Sequence, residues 1–260
     1  MFPTIRLPFF LKEIESILTN FNPVSLSEID KVKLMNRIDR KYWFHFSLLN
    51  ELLEQVTPYY DILEINGKRL MEYQSAYFDT DDNYMYLKHH NRKLNRYKVR
   101  RRTYLSTNDD FFEIKKKTNK KRTIKKRIET DFTSAGFLNS ESSFLEKKTP
   151  FKADELTNSL NNRFYRITLI HKEQLDRCTI DIQPKFWNNR GKIEFKNLVI
   201  FELKKGRSLK TSPIVSILRQ LKIRQRGLSK YCTGRALLEP ELKRNAFKPR
   251  LRFISKYIVN

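Results

Sequence analysis

The chain has 260 residues and carries 53 Lys and Arg against 29 Asp and Glu, a formal charge of +24 at pH 7. That length can enclose a proper core, and a hydrophobic content of 39% with 13% aromatic residues is too rich for a disordered basic tail. The surplus of cations points instead to a folded protein with a polyanionic partner.

In chain order, the first thirty residues read as helical. Phe10, Ile14, Ile17 and Leu18 recur at helix spacing, and Ser25 to Asp30 ahead of Val32 and Leu34 suggests a cap and a short second helix. Alternating segments then predict strands at roughly Arg37 to Phe44, Glu72 to Asp79, Asn95 to Tyr104, Phe111 to Lys117, Arg122 to Phe132, Arg163 to Ile170, Arg177 to Gln183 and Val199 to Lys204. Helices are expected at Phe46 to Val56 and Ile214 to Leu221, and Ser134 to Thr157 as a connecting helix or loop. Eight strands is the number that closes a small barrel. The C-terminal run Lys243 to Lys256 reads as a solvated basic tail.

Several chemistries are disfavoured by what is missing. Six glycines make neither GxGxxG nor GxxxxGK[ST], so any phosphate must be held by side chains. The histidines (His45, His89, His90 and His171) have no zinc-like spacing, and Cys178 and Cys232 match no metal or redox pattern. The apolar stretch Leu7 to Leu11 is short, and no run approaches the ~20 residues a spanning helix needs. The expected location is the cytoplasm, at most peripheral at the inner face of a membrane.

Side chains alternate faces along a strand, so parity decides what each face carries. Collecting like parities gives twelve cations: Lys41, Arg96, Lys98, Arg100, Arg102, Lys115, Lys117, Lys125, Arg127, Arg166, Arg177 and Lys204. Five carboxylates share these positions, Asp39, Glu113, Glu129, Asp181 and Glu202. Each strand alone could be an ordinary solvated face, but solvation would mix signs more evenly. A sheet curled with this face inward would be a charged tunnel holding water, metal and a highly charged anion. Carboxylates among the cations favour phosphoryl chemistry, in which a hard divalent metal bridges phosphate oxygens.

The series Tyr77-Phe-Asp-Thr, Tyr86 with His90, Arg96-Tyr-Lys-Val-Arg-Arg-Arg-Thr-Tyr104, Phe112-Glu-Ile-Lys115 with Lys117, and Lys125 with Arg127 resembles the VTC (vacuolar transporter chaperone) domain of polyphosphate polymerases. So do Arg37-Ile-Asp-Arg-Lys-Tyr42, Arg177-Cys-Thr-Ile-Asp181, Phe201-Glu-Leu-Lys204 and Ser229-Lys-Tyr231, so that the likeness covers roughly residues 25 to 240. The resemblance implies an α+β triphosphate tunnel fold, an eight-stranded antiparallel closed β-barrel with flanking helices, related to the CYTH phosphatases. It implies transfer of the γ-phosphate of ATP to a growing polyphosphate chain with Mn²⁺ or Mg²⁺. Lys41, Arg100, Arg102, Lys115, Arg166, Arg177, Lys204 and Lys230 would hold the phosphates of nucleotide and polymer. Glu202 would be the leading metal ligand, with Glu113, Glu129 and Asp181 as supporting or metal-binding candidates. The superfamily's ExExK motif is here Arg37-Ile-Asp39-Arg-Lys41. Arg in place of the first Glu suits the polymerase branch better than a two-metal phosphatase.

The expected organisation is one catalytic domain over 1–260, with a helical extension at 1–24 and the basic tail at 241–260. The resemblance leaves no room for a regulatory SPX domain or membrane spans, so a separate membrane partner would supply any export channel. The residues that would hold the nucleotide base stay open: Tyr42, Trp43, Tyr77 and Phe78 suit either adenine stacking or a core. Asp79 reads as a turn cap or a site residue, and His89 and His90 as phosphate contacts or turn residues. Two other functions compete. One is a tunnel triphosphatase, in which water takes the place of the chain end. The other is a nucleic-acid-binding barrel, disfavoured because most strand aromatics lie opposite the cations.

Overall fold

The computed structural model describes residues 9–31, 37–120, 122–173, 176–206 and 212–258. Leu7, Val32 and Leu34 lie outside them. In chain order the strands are β1 (Pro23–Val24), β2 (Arg37–His45), β3 (Tyr60–Leu63), β4 (Met71–Asp79), β5 (Arg96–Tyr104), β6 (Asp109–Lys117), β7 (Thr123–Glu129), β8 (Thr157–His171), β9 (Asp176–Asn188), β10 (Gly191–Glu194) and β11 (Leu198–Gly206). The helices are α1 (Phe9–Leu18), α2 (Leu26–Lys31), α3 (Leu49–Val56), α4 (Tyr84–His90), α5 (Asn139–Lys148), α6 (Pro213–Gln220), α7 (Lys230–Leu238) and α8 (Lys248–Ile258). Each of the eight strands expected from alternation is present, and their pairing order is β2-β11-β9-β8-β4-β5-β6-β7. That path begins at β2 and ends at β7, with no ladder joining those two among the described residues. The expected closure of the barrel is therefore not part of the observed pairing.

The chain divides into two compact units, one of Met1–Met71, Tyr165–Ile182 and Asn197–Leu228, the other of Glu72–Phe164, Gln183–Lys196 and Ser229–Asn260. Strands β8 and β9 contribute to both. In the first unit β11 pairs antiparallel with β2 and β9, while the short β1 pairs parallel with β3. Its core follows from helical spacing: Leu49, Leu52, Leu53 and Val56 form one buried stripe of α3. They pack with Ile14 and Leu18 of α1, Ile214 and Leu218 of α6, and the apolar strand face of Tyr42, Phe44, Ile180, Val199, Phe201 and Leu203. Ser25 opens α2 with a capping box: its hydroxyl accepts from Glu28 N at 3.4 Å while its own N–H donates to the Glu28 carboxylate at 2.7 Å.

In the second unit β5 pairs antiparallel with β4 and β6, and β6 with β7. Ala76, Phe78, Val99, Phe112 and Ile114 form the apolar face and pack with Met85 of α4 and Leu145 of α5. Arg101 breaks the alternation on this face, and its partner explains why: the buried Glu141 of α5 takes its Nε at 2.8 Å and its Nη2 at 2.5 Å. The run read as a C-terminal tail is instead partly folded, since α8 buries Ile254 and the turn before it buries Phe247.

Candidate functional site

Strand register turns the basic residues of the second unit into lateral rows. Arg96 lies opposite Lys117; Lys98 opposite Lys115, which in turn opposes Lys125; Arg100 opposite Glu113, with Tyr77 on its other side and Arg127 beyond. A fourth row runs Ser75, Arg102, Phe111 and Glu129. Neighbouring strands are ~4.8 Å apart, so each row is a tight lateral file of side chains. Like charges directly opposite one another destabilise a sheet, a cost in the Lys98–Lys115–Lys125 row that the ion pair of Lys125 with Glu113 offsets in part.

At the centre is Glu113, 2% exposed, which accepts from Arg100 Nε at 2.7 Å and is ion-paired to Lys125. Burial disfavours its carboxylate, yet Arg100, Arg102 and Lys125 more than offset this and hold it well below the usual carboxylate range. Burial pushes the Lys125 ammonium down to about 8, against the pull of Glu113 and with help from Arg100. The Tyr77 hydroxyl accepts from Arg100 Nη1 at 3.4 Å. Burial opposes ionisation of that phenol, but Arg100, then Arg102 and Lys230, outweigh it and bring its pKa down to about 8.

Aromatic rings floor this face. The Arg102 guanidinium lies 5.5 Å from the ring of Tyr73 and 5.7 Å from Phe164, and Lys230 Nζ sits 4.2 Å above Phe164. Arg127 lies 4.1 Å from the ring of Phe111. Tyr73, Tyr77 and Phe164 are buried beneath the cations. The position of Lys230 at the head of α7 has its own anchor. Ser229 caps α7 and accepts from Lys98 Nζ at 2.7 Å, while Tyr231, the residue after Lys230, donates its hydroxyl to the buried Asp79. Asp79 also accepts from Met85 N and Tyr86 N at 2.8 and 2.9 Å, so it caps α4 and secures α7 together.

The first unit carries a second charged face. Lys41 opposes Glu202, which opposes Thr179, and Asp39 opposes Lys204, which opposes Arg177. Lys41 Nζ stands 3.5 Å from the Glu202 carboxylate, whose side chain is 18% exposed. Arg166 grips Asp181 with two bonds, 2.5 and 2.9 Å. Glu202 and Asp181 are each tied to one cation and Glu113 to two, so neither face is a simple mixture of solvated charges.

These are the residues that a family model for the VTC domain matches, over positions 36–239. The chain belongs to the VTC-domain family. Three solved structures resemble this VTC domain, all at low sequence identity. A candidate adenylate cyclase from Vibrio parahaemolyticus is 12% identical over 75% of this chain and 95% of its own, with a TM-score of 0.45. Another from Bacillus halodurans is 16% identical over 75% and 96%, with a TM-score of 0.49. A candidate adenylyl cyclase from Hippeastrum, described with a dominant triphosphatase activity, is 13% identical over 78% and 99%, with a TM-score of 0.46. No curated protein sequence matches significantly.

Within the VTC domain, the residues expected on the basic face separate into distinct environments. Arg100, Arg102, Lys98 and Lys230 converge in the second unit with Glu113 and Tyr77; Lys41, Glu202, Lys204, Arg177, Arg166 and Asp181 form the face of the first. Lys125, Arg127 and Glu129 sit on β7, which is exposed along most of its length, so parity there separates little. Tyr73, Phe111 and Phe164 were missed as supports for cations, although their parity on β4, β6 and β8 was readable. His90 is structural: its Nε2 accepts from Ala246 N at 3.2 Å and its ring packs against Phe247. Among the described residues no three of His, Cys, Asp and Glu assemble as a metal site. The Glu202 carboxylate is a hard oxygen donor of the kind a divalent ion takes alongside phosphate and water oxygens. Among the described residues no helix is long and apolar enough to cross a membrane.

Proposed function

We propose that this VTC domain is a polyphosphate polymerase that transfers the γ-phosphate of ATP to the end of a phosphate chain, within the closed eight-stranded barrel that the family resemblance implies. The observation that supports this reading is the Lys98–Lys115–Lys125 row beside Arg96–Lys117, five cations set in successive register rows along which a linear polyanion can lie. In the reaction a terminal oxygen of the chain attacks the γ-phosphorus, a new P–O–P bond forms, and the bond to the β–γ bridging oxygen breaks as ADP leaves. Arg100, Arg102 and Lys230 orient phosphate oxygens and neutralise charge that grows during transfer. The rigid anchors of Arg100 on Glu113 and of α7 on Asp79 hold these cations in place before the substrate arrives. Lys41, Lys204, Arg177 and Arg166 bind phosphate from the first unit's face, with Asp181 as the anchor of Arg166. Mn²⁺ or Mg²⁺ held by Glu202 would supply Lewis-acid stabilisation of the phosphate oxygens.

Aromatic rings sealed under cations favour this over nucleic-acid binding, which needs open rings for bases to stack on. Arg37 in place of the first glutamate of the ExExK motif argues against a triphosphatase built on a two-metal cluster. The test is to incubate purified protein with γ-labelled ATP and Mn²⁺ and resolve the products on a gel. A ladder of long labelled chains is expected; label released only as free phosphate contradicts the polymerase reading, and no metal-dependent turnover contradicts catalysis altogether.

A further inference from the structure

The rows of the second unit do not stop at the sheet. Arg96 and Lys117 end the file and enter a pocket of about 420 Å³, which they line together with Arg92, Arg250, His90 and Phe247. Four cations from three stretches of chain meet there, and no carboxylate lines the pocket among the described residues. Arg92 holds a left-handed backbone, φ 55°, where a non-glycine residue is uncommon. The turn before β5 is tied to the β6–β7 hairpin, since Asn119 N donates to Asn95 Oδ1 at 2.9 Å. Phe247 and Arg250 lie beyond residue 239, where the family match ends. This segment is nonetheless docked: Ala246 N donates to His90 Nε2, Phe247 meets the rings of His90 and Tyr86 edge-on at 5.1 and 6.0 Å, and the Tyr86 hydroxyl donates to Lys243 O at 3.1 Å.

We infer that the C-terminal segment completes a second phosphate site, in which Arg92 and Arg250 hold the distal phosphates of an inorganic polyphosphate chain that runs along the Lys98–Lys115–Lys125 and Arg96–Lys117 rows. Two residues of strand separate successive rows by ~6.7 Å, a step a linear phosphate chain can follow. The identity of the ligand rests on the polyphosphate reading above, but its binding does not require turnover. The site therefore adds affinity for long chains and nothing for short ones that the rows can hold alone.

Calorimetric titration without ATP separates the two. Wild type and the double variant Arg92→Gln/Arg250→Gln are titrated with inorganic tripolyphosphate and with long-chain polyphosphate. The expected result is a loss of roughly tenfold for the long chain, in the range of two charge contacts, one from the exposed Arg92 and one from the half-buried Arg250, with tripolyphosphate affinity unchanged. Equal long-chain affinity in both proteins, or an equal fall for both ligands, overturns the inference. Arg92→Lys/Arg250→Lys keeps the charges and is expected to retain most long-chain affinity; a fall as large as with glutamine places the effect in folding and also overturns it. A protein that binds in this pattern yet makes no polymer would count against the polymerase reading alone.

Discussion

Glu113→Gln is the most informative single change, because Glu113 is a buried carboxylate of the second unit's cationic face that ties down Arg100 and Lys125 at once. The side chains of these partners are 22% and 42% exposed, so water compensates part of the loss. A buried pair broken at one end costs about 3–5 kcal/mol, and charged hydrogen bonds about 1.5–3; with solvent sharing the load the expectation is about 2–3 kcal/mol. For a chain of this size that lowers Tm by roughly 5–10 °C. The folded-state pKa of Glu113 is depressed below its ordinary 4.5, so its contribution is fully present above 4.5 and is lost as pH falls through the folded value. Thermal melts of wild type and variant should therefore differ most near neutral pH and converge only in strong acid. Inorganic tripolyphosphate should raise the variant's Tm more than the wild type's, since phosphate can take over the two orphaned cations. Identical melts at neutral pH, or a smaller ligand shift in the variant, would refute the role of Glu113 as an anchor.

Three further outcomes are expected. Raising pH through about 8 removes positive charge from Lys125 and adds negative charge at Tyr77, so tripolyphosphate affinity falls across that window; Tyr77→Phe should flatten the profile, and an unaltered profile rejects the assignment. Glu202→Ala should abolish metal-dependent turnover and leave polyphosphate binding by calorimetry largely intact; full activity removes Glu202 from the metal site. Arg102→Glu should weaken both ATP and polymer binding by at least ~100-fold, the loss of one charge-assisted contact plus the repulsion of a new carboxylate, and normal affinity contradicts its place in the site.

Alternation made much of this architecture legible. Arg96, Lys98, Arg100 and Arg102 share one parity, and the structure sets them in register with Lys117, Lys115, Glu113 and Phe111. Arg101 was opaque because its partner, Glu141, is 40 positions away on a helix of weak amphipathic pattern. The two-residue β1 carries too few side chains for periodicity, and the polar start of β8 hid its first residues. Lys230 was placed by family resemblance, since nothing in its neighbours announces the Tyr231–Asp79 bond that fixes it. The C-terminal run was misread because its charges outnumber the two residues, Phe247 and Ile254, that dock it.

The central claim is phosphoryl transfer to a chain rather than to water. Phosphorus NMR of a reaction with ATP and Mg²⁺ follows both fates at once. Transfer to a chain predicts resonances of internal chain phosphates growing in step with ADP; orthophosphate growing in step with ADP, with no internal phosphates, would contradict it.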